Sequence, residues 1–255
     1  MKKILCIILI SNLICCSNIY AISKSSRDRP GTAIFVMAIN QTSYISIVPK
    51  KLNYNNDIVN INMEIPQLKG LSNKQFEKEL NNKVLHEAKK IKKETISTAK
   101  EYNKDLVKDK LNIIPFELIS KYNYVESVSP LFSIGIFEYT YSGGAHGLGI
   151  QKYINIDTKQ NKILTLQDIF KEDVDYKKVI NDKIRNQMAE RKKQGEFFFE
   201  GSNGFVSISD SQPFYINKSG DLIIVFNVYE IAPYGAGIIE FIIPKKELSN
   251  YLAIF

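Results

Sequence analysis

Nine residues, Phe76, Leu80, Val84, Ala88, Ile91, Thr95, Ala99, Tyr102 and Leu106, recur at steps of three or four while Lys and Glu fill the intervening positions. That spacing predicts one long helix with a single apolar stripe. A helix this polar on its other faces draws its stability from burying the stripe. It is therefore expected to lie across one face of a sheet. Ser72 with Gln75 three residues on has the form of a capping box at its start. His86, beside Glu87 on the polar side, reads as solvated, and the run of lysines here reads as a solvated face rather than a nucleic-acid patch.

The partner sheet is visible on both sides of the helix. Val59, Ile61, Met63 and Ile65 alternate with Asn60, Asn62 and Glu64, the period of two expected of a half-buried strand over Ile58 to Ile65. Tyr44 to Leu52 forms its neighbour across a turn at Asn55-Asn56-Asp57, and Pro66 and Gly70 are expected to end the extended region. Ala33 to Ile39 is apolar enough for an edge strand. After the helix, strands are expected near Ile114 to Ser129 and over Leu131 to Tyr141. In the latter the apolar parity changes between Ile136 and Phe137, which predicts a bulge near Gly135 to Phe137. A hairpin partner over Ile150 to Asp157 and a helix over Val174 to Lys193 follow, with Gly195 closing the helix. The last third reads as strands at Phe205 to Ser209, Pro213 to Asn217, Leu222 to Val228 and Ile238 to Ile243. Of these, Leu222-Ile223-Ile224-Val225-Phe226 reads as a central strand buried on both faces. Strands grouped around two separate helices give an α+β fold with two lobes, mostly antiparallel sheets each packed by a helix. The expected division is a signal peptide at 1–21, a tether at 22–42, an N-terminal lobe at 43–142 and a C-terminal lobe at 143–255.

Two glycine-bearing stretches stand out. Tyr139-Thr140-Tyr141-Ser142-Gly143-Gly144-Ala145-His146-Gly147-Leu148-Gly149 joins two strands through a turn with four glycines in seven residues. Gly143 and Gly144 permit positive φ or a close backbone approach. Tyr229-Glu230-Ile231-Ala232-Pro233-Tyr234-Gly235-Ala236-Gly237 likewise sits between two apolar runs.

The N-terminus reads as a secretory signal, with Lys2 and Lys3 ahead of an apolar run from Ile4 to Ile14. Cleavage after Ala21, with Ile19 and Ala21 at the recognition positions, releases a soluble protein; cleavage before Cys16 leaves a lipid anchor, although the small residue usual before the modified cysteine is missing. Membrane association is thus expected only with lipidation at Cys16. All three cysteines, Cys6, Cys15 and Cys16, lie in this region, so the remaining chain holds no disulfide, thiolate metal site or cysteine nucleophile. Removing the signal lowers the formal charge from +7 to +5, with 32 basic against 27 acidic residues. A mild positive balance with no single basic patch suits an anionic cell envelope and argues against nucleic acid.

Several motifs together carry a resemblance. Ile65-Pro66 beside the long helix, Tyr139 to Gly147, Asn155-Ile156-Asp157, Leu164 to Phe170, Tyr229 to Gly237 and Ile243-Pro244 before a terminal helix follow in an order similar to the extracellular region of the lysozyme-binding anti-sigma factors. The same module resembles the non-catalytic N-terminal region of some peptidoglycan deacetylases. The resemblance covers about Tyr44 to Leu252. It implies an extracytoplasmic binding module without enzymatic activity or cofactor. Only Met1 to Lys3 precede the apolar run, and the chain stops at Phe255. Neither sigma-factor control nor a following deacetylase domain is therefore expected of this sequence.

The expected partner is a lysozyme-like wall hydrolase. Binding to peptidoglycan or an anionic wall polymer is the first alternative, and wall hydrolysis by the chain itself is the second. The candidate partner-binding residues are Gly143, Gly144, His146, Tyr229, Glu230 and Tyr234. A lone turn histidine such as His146 serves more often as a hydrogen-bonding strut than in chemistry, and no His spacing supports a metal site. Glu138, Asp157 and Glu230 are the carboxylates within the motifs, with nothing to fix the separation that glycoside hydrolysis requires. Ser142 lacks the Gly-x-Ser-x-Gly elbow of a nucleophile. Tyr229 and Tyr234, flanking Pro233, serve either as protein- or sugar-contacting anchors or as fixings of the loop to the sheet.

Overall fold

The computed structural model describes residues 37–38 and 44–254. The signal segment, Cys16, Ala21, most of the tether and all but Met37–Ala38 of the expected first edge strand lie outside the described residues. The chain opens with β1 (Met37–Ala38), β2 (Tyr44–Lys51), β3 (Tyr54–Asn56) and β4 (Val59–Lys69). The 35-residue helix α1 (Lys74–Lys108) follows, then β5 (Phe116–Val125), β6 (Leu131–Tyr141), β7 (Leu148–Asp157) and β8 (Lys162–Ile163). These strands make one large sheet in the order β1-β2-β4-β5-β6-β7-β8, with β3 paired to β4 along the edge opposite β5. Only the β4–β5 pairing is parallel, because α1 is the crossover between them. A short helix α2 (Leu166–Ile169) and α3 (Tyr176–Lys193) lead to a second antiparallel sheet of β9 (Phe214–Ile216), β10 (Leu222–Phe226) and β11 (Ile239–Ile243), ordered β11-β10-β9. A single turn, α4 (Lys245–Leu248), follows the last strand. The fold is α+β, as the strand and helix patterns predict.

One face of the large sheet is covered by α1, whereas the other is covered only around β6 and β7 and leaves Asn60 and Asn62 of β4 exposed. Phe132, Ile134 and Ile156 pack with Leu80 on the α1 side, and Phe76 and Val84 close over them. On the other face Leu131 enters the core formed by α3 and the small sheet. Asn155 donates through Nδ2 to the Phe214 carbonyl at 2.8 Å, and the Tyr153 and Tyr215 rings lie 4.8 Å apart. All five residues of β10 are buried, as an unbroken apolar run in a central strand requires. The proposed boundary at 142/143 falls in the turn between β6 and β7, whose hairpin is continuous within the large sheet.

Several local expectations are corrected. The helix cap is Asn73, whose side chain accepts from Phe76 N at 3.0 Å, while Glu77 turns back to accept from Leu71 N. Pro66 does not end β4. It stands opposite Pro49, beyond the Val59–Met63 stretch that pairs with β5, so its missing N–H leaves no ladder bond unmade. No bulge interrupts β6: its register with β5 and β7 is unbroken, and Phe137 and Tyr139 lie on the second face over Gly149 and Gly147. Gly135 serves a different purpose there, since a Cβ would lie 2.4 Å from Asn123 Oδ1. Residues 205–209 form no strand, because the segment is held by side chains: Ile208 N donates to Asn181 Oδ1 and Val206 O accepts from Arg185. Tyr102 is 40% exposed, and its neighbour Asn103 is the buried residue. The Asn103 amide bonds the Ala99 and Ile114 carbonyls and accepts from Ile114 N, fixing the loop after α1.

Candidate functional site

The two glycine-bearing loops meet. The β6–β7 turn projects His146, and the loop after β10 lays Tyr229 and Tyr234 against it. The His146 ring stacks on Tyr234 with centroids 4.0 Å apart and an angle of 22°, and Tyr229 lies 6.4 Å from His146 and 5.7 Å from Tyr234. Protonated on Nδ1, the imidazole donates to the Gly147 carbonyl at 3.1 Å and leaves Nε2 to accept from the Tyr229 hydroxyl at 3.4 Å. Offset aromatic pairs of this kind contribute about 0.5–1.5 kcal/mol each beyond their burial. Tyr229 is nevertheless 51% exposed, so much of its ring faces outward.

Backbone geometry explains how the loops reach each other. Gly143 and Gly144 take φ of +93° and +95°, values that a side chain rarely adopts. Gly147 is required by space instead, since a Cβ would lie 2.4 Å from the Tyr139 ring and 2.5 Å from the Thr140 carbonyl oxygen. Tyr229 itself holds φ of +66° without being glycine. Such a conformation in a bulky residue persists only where its surroundings dictate it. Here the surroundings are Asn227, which accepts from Gln151 N at 2.6 Å and donates to Gln151 O at 3.3 Å, stitching the loop to β7.

Glu230 belongs to the same loop and is exposed. One carboxylate oxygen accepts from Asn227 N at 3.0 Å and from Gln212 Nε2 at 3.4 Å, closing the turn on itself. Gly143 and Gly144 sit on the far side of the β6–β7 turn, where a Cβ on Gly143 would be 3.4 Å from the Tyr102 hydroxyl and the Gly144 carbonyl accepts from Tyr141 at 3.1 Å. The structure thus brings His146, Tyr229 and Tyr234 together, with Glu230 exposed in the same loop as the tyrosines and Gly143 and Gly144 in the β6–β7 turn. Asn227 and Gln151, 76 residues apart, are the framework residues that sequence reasoning missed. Only the turn-forming character of Asn227 hinted at them.

The remaining candidates are dispersed. Glu138 pairs with Lys152 across β6 and β7, Asp157 caps the turn at Lys159 and Gln160, and His86 is exposed on α1. Among the described residues no group of three or more His, Cys, Asp or Glu side chains is placed to hold a metal ion, and no helix is long and apolar enough to cross a membrane.

Much of the chain matches known families. Residues 52–149 match the family described as deacetylase PdaC, and residues 167–246 match the family of unknown function DUF3298. The anti-sigma-V factor RsiV of Bacillus subtilis is 33% identical over 201 residues, which are 77% of this chain and 66% of RsiV. The peptidoglycan-N-acetylmuramic acid deacetylase PdaC of the same organism is 42% identical over 60 residues, 24% of this chain and 13% of that protein. This chain therefore spans less than the full length of either relative. A crystal structure of a DUF3298 member from Bacteroides fragilis superposes with a TM-score of 0.65 at 23% identity, covering 84% of this chain and 95% of that one. Another, from Pseudomonas aeruginosa, gives 0.53 at 15% with the same coverage. At these identities the two structures establish the fold alone. The resemblance read from the motifs stands: over most of its length this chain resembles the anti-sigma factor RsiV, and it carries a PdaC-type region followed by a DUF3298 region.

Proposed function

We propose that this chain is an exported, non-enzymatic binding module of the cell envelope that holds a lysozyme-like wall hydrolase on the surface formed by His146, Tyr229 and Tyr234. The observation that carries the reading is the exposed stack of three rings on two interlocked loops. Rigid aromatic anchors present large contact area at low entropic cost, and loops leaving a sheet are where recognition usually resides. The similarity to RsiV supports the extracytoplasmic setting and the absence of catalysis. The same rings would stack on sugars, so a peptidoglycan or wall-polymer ligand is the alternative, supported by the similarity to a wall deacetylase.

Titration calorimetry of the purified exported protein against lysozyme, and pelleting with purified sacculi, separate these readings. Tyr229→Ala and Tyr234→Ala are expected to cost about 2 kcal/mol or more, roughly thirtyfold in affinity, while circular dichroism stays unchanged. Sacculus binding without lysozyme binding would move the function to the wall polymer. Release of acetate, sugars or muropeptides, lost in Glu230→Gln or His146→Ala, would replace a binding module with an enzyme.

A further inference from the structure

A second feature lies between α1 and the sheet. The helix is about 50 Å long, and a cavity of about 300 Å³ lies between it and the sheet. Its helix wall is Leu80, Val84, Ala88 and Ile91 with the exposed, oppositely charged Lys83 and Glu87, and its floor includes Ile136 and Ile154. Ser120 lies in that floor at 1% exposure, and its hydroxyl has no hydrogen-bond partner. Directly across the register from it stands Glu138, itself 8% exposed and committed to Lys152.

A buried hydroxyl without a partner is costly, and native cores seldom retain one. At the floor of an apolar chamber it provides one donor and one acceptor for a molecule that is otherwise hydrocarbon. The adjacent ion pair is self-neutralised, so it favours no net charge on a guest. An apolar cavity of roughly 150 Å³ holds benzene, and this one is about twice that size. We propose that the cavity under α1 binds a small neutral amphiphile, an apolar body of the size of two fused rings or a medium alkyl chain, whose single hydroxyl bonds Ser120.

The probe is 2-naphthol, with naphthalene as the control that lacks the hydroxyl, followed by fluorescence titration of the purified protein. Saturable one-to-one binding of 2-naphthol is expected, with a rise in melting temperature. Ser120→Ala should weaken 2-naphthol about tenfold, the upper end for one neutral hydrogen bond, and leave naphthalene unchanged. Ala88→Leu, which fills the chamber from the helix, should abolish both. Because a core variant can fail to fold, nuclear Overhauser contacts from the naphthol ring to the Val84, Ile136 and Ile154 methyls are measured in the unaltered protein. Contacts elsewhere, equal 2-naphthol affinity in Ser120→Ala, or no saturable binding, as for a chamber that holds water only, would overturn the proposal. None of these outcomes bears on the aromatic stack, whose residues do not line this cavity.

Discussion

Replacing Tyr229 separates what its ring does from what its backbone does. Both Tyr229→Ala and Tyr229→Gly delete the ring and with it the contacts to His146 and Tyr234. Only alanine keeps a Cβ at φ of +66°. Holding an L-residue in the left-handed region costs about 1–2 kcal/mol, and glycine escapes this while losing about 0.5–1 kcal/mol to its freer unfolded chain. The glycine variant should therefore be the more stable of the two, by up to about 1.5 kcal/mol, or up to about 6 °C in melting temperature for a domain of this size. Thermal unfolding followed by circular dichroism reads that difference directly. Under the proposed function, binding to lysozyme should fall equally in both, because the proposed contact ring is gone from both. An alanine variant melting at or above the glycine variant would refute the claim that this backbone is held under strain for the sake of the side chain.

Gly147→Ala should destabilise by about 1–3 kcal/mol in urea unfolding, because the new methyl meets a backbone carbonyl that cannot move aside; stability within error of the unaltered protein would count against the packing described. Burial, and then the Glu240 carboxylate to which its hydroxyl donates, pushes the Tyr215 phenol up from 10.0 to about 12. A raised folded pKa contributes stability that is complete below the unfolded value and is lost as pH climbs through the folded one. Stability is accordingly expected to fall between about pH 10 and 12, with Tyr215→Phe flattening that slope; an unchanged slope would assign the loss to other groups.

What was legible in the sequence is what repeats locally. The stripe from Phe76 to Leu106 needs only the helical period, and it delivered α1 and the face that α1 covers. The run Leu222 to Phe226 required no context to be read as a buried central strand. Errors arose where a distant element changes what a local pattern means. The parity change in β6 looked like a bulge because one face was assumed wet, whereas Phe137 and Tyr139 on that face lie over Gly149 and Gly147. Residues 205–209 have strand-like composition, yet Asn181 and Arg185 on α3 take up their backbone groups. At the candidate site, the loops could be named but their meeting could not, since the bonds that join them run between Gln151 and Asn227. Ser120 gave no signal at all, because a hydroxyl lacking a partner is a property of the packed molecule.

The aromatic stack has a consequence for how the two matched regions depend on each other. His146 belongs to the region similar to PdaC, and Tyr229 and Tyr234 belong to the DUF3298 region. Neither region alone contains the stack. The rings meet because β7 carries Gln151 on the face turned toward the small sheet, where Tyr153 and Asn155 also engage β9 at Tyr215 and Phe214. A chain that kept the long helix and its sheet but lacked the second sheet would still bury the α1 face. It would leave His146 without either tyrosine and expose Leu131, Tyr153 and Asn155 to water. The surface proposed for recognition is thus a product of docking one region on the other, and its geometry reports whether that docking is intact.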